Sequence, residues 1–141
     1  MALSRWSHNI KEFIMIKSIL FLLCFAPVML FAKDIEGVYN ISGYDPHSQG
    51  KYQGIAEIKL KDAKNEIYEI ICQLNHPVVS TYATGVKIDN TLSCVFAEMD
   101  DTNNTKYGLQ TYVIHNDKLS GPWIFYGDTV KGMETLTKTY Q

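Results

Sequence analysis

Beyond residue 32 the sequence alternates with a period of two. In Tyr52-Gln53-Gly54-Ile55-Ala56-Glu57-Ile58-Lys59-Leu60-Lys61 the even positions carry Tyr, Gly, Ala, Ile and Leu, and the odd ones are mostly polar. Successive side chains of a strand point to opposite faces, so such a segment lays one face on a core and the other in water. The same parity groups Tyr68, Ile70, Cys72 and Leu74, then Leu92, Cys94 and Phe96, then Leu119, Gly121, Trp123 and Phe125. Helical periodicity is hard to find after Ala32. A chain patterned this way is expected to fold as sheet and not as a helical bundle.

Turn residues divide the alternating runs at regular intervals. Asp62-Ala63-Lys64-Asn65 closes one hairpin, and Asp100-Asp101-Thr102-Asn103-Asn104-Thr105 forms a longer polar loop. Asp89-Asn90 and Asn116-Asp117 are candidates for two-residue type I′ turns, because Asn and Asp tolerate positive φ. The expected strands are 35–43, 51–61, 66–74, 79–88, 91–98, 106–115, 118–126 and 131–139. Eight strands in sequential hairpins make an antiparallel meander, which must close on itself or protect its edges. Gly54, Gly85, Gly108 and Gly121 fall inside strands, where glycine marks a bulge or bend and favours a curled sheet. Pro122 removes a ladder donor, which predicts an edge or a bulge there. The expected fold is therefore all-β: an eight-stranded antiparallel meander, closed or nearly closed into a small barrel in preference to a sandwich. A barrel of eight strands has an interior that side chains fill or that holds one small ligand.

The first 32 residues are a different material. They hold 22 residues of the AVILMFWYC set, and no charge occurs between Ser18 and Ala32. Ile19–Phe31 reads as the apolar core of a secretory signal helix, Lys17 as its positive flank and Ala32 as the cleavage residue. The uncharged run is short for a helix spanning ~30 Å of hydrocarbon. Met15 is a better signal start than Met1. The alternative is an uncleaved anchor, which would then be the one contact with membrane. Cys24 lacks the small preceding residue of a lipoprotein signal. The expectation is a signal peptide over 1–32, a single β-barrel domain over 33–141, and an exported protein, periplasmic or secreted.

Residues 33–141 contain 10 Lys, no Arg and 14 Asp+Glu, a net charge of −4. That balance argues against nucleic acid as a partner, which needs a basic face. Without Arg, bidentate clamping of phosphate or carboxylate is also disfavoured. His47, His76 and His115 sit in or beside turns, and no Gly-x-Ser-x-Gly elbow accompanies them. There is no His-x-His, HExxH or CxxC spacing for a metal. The acidic loop at Asp100–Thr105 lacks the Gly and Glu spacing of a calcium loop. No Gly-rich turn leads into a helix, so no nucleotide cofactor is expected. The sequence is therefore expected to belong to a protein without enzymatic activity, metal or cofactor.

Cys72 and Cys94 share the apolar parity. Export would favour a bridge between them. If strand 79–88 lies between their strands they are ~9.5 Å apart, beyond the ~7 Å a disulfide permits. Two buried free thiols are the preferred reading, with a Cys72–Cys94 bridge as the alternative.

Aromatic usage remains. All nine Tyr lie after residue 32, with Phe96, Phe125 and Trp123 the only other aromatics there. Tyr44, Tyr52, Trp123 and Tyr126 are the candidate binding residues. Tyr and Trp are enriched at interfaces, although pleated sheets favour aromatics generally.

Gly37-x-Tyr39, Gly43, Tyr52-x-Gly54, Tyr68-x-Ile70, Gly85, Leu92, Tyr107-Gly108, Tyr112, Leu119-x-Gly121-x-Trp123 and Gly132-x-Glu134 span most of residues 33–141. This series resembles small exported bacterial proteins known as fibronectin-binding proteins. The resemblance implies a compact β domain in the envelope or outside the cell, contacting a host matrix protein such as fibronectin. Two places depart from the pattern: Ile71-Cys72, where an aromatic is common, and the acidic loop. Avidin-like and lipocalin-like barrels share the Gly-x-Tyr and Gly-x-Trp openings. Two functions follow as expectations. One is an exported, non-enzymatic module binding an extracellular protein. The other is a carrier of a small apolar ligand inside the barrel, motivated by Tyr52, Trp123 and Phe125 on core-facing parity.

Overall fold

A computed structural model of the chain describes residues 34–140. The signal helix expected over 1–32, with Met15 and Cys24, lies outside the described residues. Eight antiparallel strands form one closed barrel in sequence order. They are β1 (Gly37–Asp45), β2 (Gly50–Asp62), β3 (Ile67–Asn75), β4 (Val78–Ile88), β5 (Thr91–Met99), β6 (Thr105–His115), β7 (Lys118–Phe125) and β8 (Gly132–Lys138). Each lies within two residues of its expected position. Closure comes from β8 pairing with β1, Tyr39 opposite Lys138 and Tyr44 opposite Met133.

Parity holds around the ring. Tyr39 and Ile41 of β1, Ala56 and Ile58 of β2, Ile70 of β3, Leu92 of β5, Leu119 of β7 and Leu136 of β8 all point inward and are buried. The intervening residues face out, which is the half-buried strand pattern of an antiparallel sheet.

Local chemistry explains the connections. The Asp62 carboxylate accepts from the backbone N–H of Lys64 and Asn65, turning the chain from β2 into β3. Asp100 does the same for Thr102 and Asn104 between β5 and β6. Asp89 and Asn116 have φ of 52° and 53°. Positive φ falls on the first residue of each pair alone, so these turns differ from the expected type I′, which needs it at both. His76-Pro77, joined by a cis peptide bond, turns β3 into β4.

Two irregularities bend the sheet. The β2–β3 register shifts between Leu60 and Asp62, and the Glu36 carboxylate accepts the Leu60 N–H at 2.6 Å. Pro122 lies neither at an edge nor in a bulge. The β6–β7 ladder instead breaks between the Gln110–Trp123 and Val113–Ser120 pairs and resumes in the same register. A Cβ on Gly121 would stand 1.8 Å from the Thr111 carbonyl oxygen, so only glycine permits this approach of the two backbones.

The interior has two unlike ends. At one end lie the 63–66, 89–90 and 116–117 turns, above a floor of Ile58, Leu92, Leu119 and Leu136. Ile35 packs into this floor, and its carbonyl accepts the Tyr39 hydroxyl at 2.7 Å. Lys87, buried here, donates to Glu66 at 2.8 Å. The other end carries the 46–49, 76–77, 100–104 and 126–131 connections, and there the interior opens.

Candidate functional site

The open end contains a cavity of about 180 Å³. All eight strands contribute to its lining, β1 through Asp45 and β4 through Thr81 and Ala83. β2 contributes Tyr52, β3 Cys72 and Leu74, β5 Cys94 and Phe96, β6 Gln110 and Tyr112, β7 Trp123 and Phe125, and β8 Glu134. Phe125 joins the aromatic wall: its ring centroid is 5.1 Å from that of Trp123 and 5.7 Å from that of Phe96.

The space exists because glycines face the large rings. Gly43 pairs with Tyr52, Gly108 with Phe96 and Gly132 with Trp123. Each ring lies over the neighbouring glycine. A Cβ there would stand 2.0 Å from Tyr52, 2.3 Å from Phe96 and 2.1 Å from Trp123. The aromatics thus fold back along the wall.

At the bottom of the cavity sits Glu134. Tyr52 donates its hydroxyl to Oε2 at 2.9 Å, and Tyr112 donates to Oε1. The three side chains come from β2, β6 and β8, and none is adjacent in sequence to another. Burial pushes the Glu134 pKa up, while the two phenol hydrogen bonds oppose the rise. The same burial, reinforced by the carboxylate, raises both tyrosines. Trp123 Nε1 is a buried donor without a hydrogen-bond acceptor. Its edge lies over Gly132, and its N–H, near the Tyr52 hydroxyl without a formed hydrogen bond, opposes the rise there. Gln110 Nε2 donates to the Gly121 carbonyl at 3.2 Å, tying the polar wall to the interrupted ladder.

The rim is charged. His47 Nε2 meets Asp128 at 2.8 Å, linking the β1–β2 turn to the β7–β8 loop. Lys106 Nζ lies 5.3 Å from the centre of the Phe125 ring. Asp45 and Glu98 also line the opening. Burial raises the Glu98 pKa, and the Lys106 charge opposes it. His76 and His115 are exposed at opposite ends of the barrel.

The candidate residues read from sequence therefore divide. Tyr52 and Trp123 are 6% and 8% exposed and line the cavity, whereas Tyr44 and Tyr126 are 43% and 93% exposed on the outside. The structure does not bring the four together, because Tyr44 has outward parity on β1 and Tyr126 lies exposed just past the end of β7. Cys72 and Cys94 both reach the cavity as free, buried thiols. Cys72 pairs with Thr81 on β4, and Cys94 with Gly85 four residues further along. The whole of β4 and a four-residue stagger lie between them, and no disulfide joins them.

The barrel has a solved counterpart. It is similar to a redesigned beta barrel, mFAP1, whose structure was determined bound to DFHBI, with a TM-score of 0.62. The match covers 74% of this chain and 94% of that one at 13% identity, so the likeness is one of fold. No protein-family model and no curated protein matches the sequence.

Glu134 and Tyr112 are the residues that sequence reading did not single out as a site. A signal for Glu134 was present. Gly132, Glu134 and Leu136 share one face of the last strand, and a carboxylate at a core-facing position is rare unless it has partners.

Proposed function

We propose that the protein is an exported, non-enzymatic barrel that binds a small, largely apolar ligand in the cavity at its open end. One observation carries this reading. About 180 Å³ of interior, open at one end, is lined mainly by aromatic and aliphatic side chains, with a few convergent polar groups. That combination is the usual composition of a small-molecule site. The size suits a compact ligand, since an engineered cavity of about 150 Å³ holds benzene. The fold's likeness to a barrel solved with DFHBI supports the same reading. Export rests on the apolar leader of residues 19–31.

Trp123 is the one tryptophan beyond residue 32 and reports directly on the cavity. In the full chain carrying Trp6→Phe, small apolar ligands should shift Trp123 fluorescence in a saturable way, and Phe125→Ala should weaken that response. Emission unchanged across an apolar panel would remove the reading.

A second reading concerns the outer surface. Tyr82 pairs with Ala97, which pairs with Tyr107, and the Tyr126 N–H donates to the Tyr107 carbonyl. Tyr82, Tyr107 and Tyr126 are all exposed. This outer aromatic row supports contact with an extracellular protein such as fibronectin. Immobilised fibronectin should then retain the protein, and Tyr107→Ser with Tyr126→Ser should abolish retention. Equal retention of the variant and the parent would exclude that row.

A further inference from the structure

Glu134 is a buried carboxylate without a cation. Among the described residues no Lys or His forms an ion pair with it; Lys59, Lys61 and Lys87 pair with Glu57, Glu69 and Glu66, and His47 with Asp128. The groups acting on Glu134 are the two tyrosine donors and the apolar surroundings. A charge taken out of water is normally paired, and two neutral phenol donors do not supply the opposite charge. One side of this carboxylate faces the cavity.

The rest of the wall suits a cation. Tyr52, Phe96, Tyr112, Trp123 and Phe125 present aromatic rings to one small space, and ring faces attract cations most strongly when water is excluded. Lys106 beside Phe125 illustrates the contact at the rim. Asp45 and Glu98 at the opening exceed Lys106 in charge, with His47 already paired to Asp128. Residues 33–141 carry −4 overall. Field and wall therefore both favour an incoming positive ligand.

From this we infer that the cavity selects a small organic amine, its ammonium pairing with Glu134 and its apolar body enclosed by the aromatic wall. The inference rests on the ligand-binding reading above and adds the chemical class of the ligand. A monocyclic amine fits the volume. The carboxylate then has three partners: the hydroxyls of Tyr52 and Tyr112, and the ammonium between the rings.

Three isosteric probes decide it. Benzylamine, benzyl alcohol and benzoate differ in charge and little in shape. Calorimetry on the full chain at neutral pH should give benzylamine about tenfold tighter binding than benzyl alcohol, with benzoate weakest. Glu134→Gln keeps the volume and an acceptor for the tyrosines. It should erase the amine preference while leaving benzyl alcohol within about threefold of its original affinity. Equal binding of amine and alcohol, a preference for benzoate, or a preference that survives Glu134→Gln overturns the inference. If Glu134→Gln does not fold, the amine-to-alcohol ratio on the unaltered chain decides alone. Benzyl alcohol binding without benzylamine removes the amine while the apolar-ligand reading stands. Failure of all three probes removes both.

Discussion

The two ends of the barrel obey the same alternation and do opposite things with it. At the closed end inward positions carry Ile58, Leu92, Leu119 and Leu136, each no more than 1% exposed. Across the ladders Ile58 meets Ile70, and Leu136 meets both Ile41 and Leu119, so the interior fills. At the open end three inward aromatics face Gly43, Gly108 and Gly132 across the ladder. Large meets absent, the rings lie back, and a cavity results. Residue size within one parity class therefore separates a packed floor from a binding site. The two longest connections, 100–104 and 126–131, both lie at the open end. A tightly packed end supplies stability that lets the other remain hollow.

The largest expected effect breaks that comparison. Leu136→Ala empties a fully buried position in the floor and should cost about 2–5 kcal/mol in denaturant unfolding. Leu74→Ala on the half-buried cavity wall should cost about 1 kcal/mol, because less surface returns to water. Equal losses at both would mean that the ends are energetically alike.

Filling the glycine positions should come next. Gly43→Ala forces Tyr52 off the wall, and its overpacking should cost about 1–3 kcal/mol. Ligand affinity should fall with it, since Tyr52 moves toward the cavity. A variant with native affinity and melting temperature would remove glycine–aromatic pairing as the origin of the cavity.

A smaller effect sharpens the electrostatic contrast. Burial raises the Glu134 pKa in the folded state above an unfolded value of about 4.3. The folded protein therefore holds that proton more tightly. The stability it contributes is fully present below the unfolded pKa and is lost as pH rises through the folded one. Relative to Glu134→Gln, the parent should lose melting temperature as pH rises from about 4 until the carboxyl ionises. A difference that stays constant over that range would mean the pKa is the same in both states.

The smallest effect concerns the thiols. Burial pushes the Cys94 pKa up to about 12 and raises Cys72 as well. Thiolate is the nucleophile, so iodoacetamide near pH 8 should label both slowly in the native protein and quickly in urea. Fast native labelling would indicate that the open end admits reagent freely.

The barrel was legible because its determinants are local. Alternation sets each strand's faces, and Asp, Asn and Gly set the turns, all within about ten residues. The cavity was only partly legible. Parity alone placed Tyr52 and Trp123 inside, and would have placed Tyr44 and Tyr126 outside, since each follows an inward neighbour, Gly43 or Phe125. The Glu134 site was harder. Its partners lie 82 and 22 residues away, and only the closed register brings them to one carboxylate. Pro122 shows another limit. The sequence indicated a missing donor, but the ring accommodates it by a local break because Gly121 lets Thr111 approach.

The seam between β1 and β8 has a kinetic consequence. Every other pairing joins neighbouring strands, with partners such as Thr91 and Val113 near in sequence. Tyr39 instead meets Lys138, 99 residues away. Closing so long a loop carries the greatest entropic cost in the molecule and ties assembly speed to non-local contact. The hairpins can form independently, while the ring exists only once its first and last strands meet. Because these strands are neighbours, with the Thr139 N–H bonded to the Val38 carbonyl, a short linker could join them. The chain could then be opened at Asp100–Asn104 as a circular permutant, and the old seam would become a hairpin, converting the slowest pairing into one of the fastest.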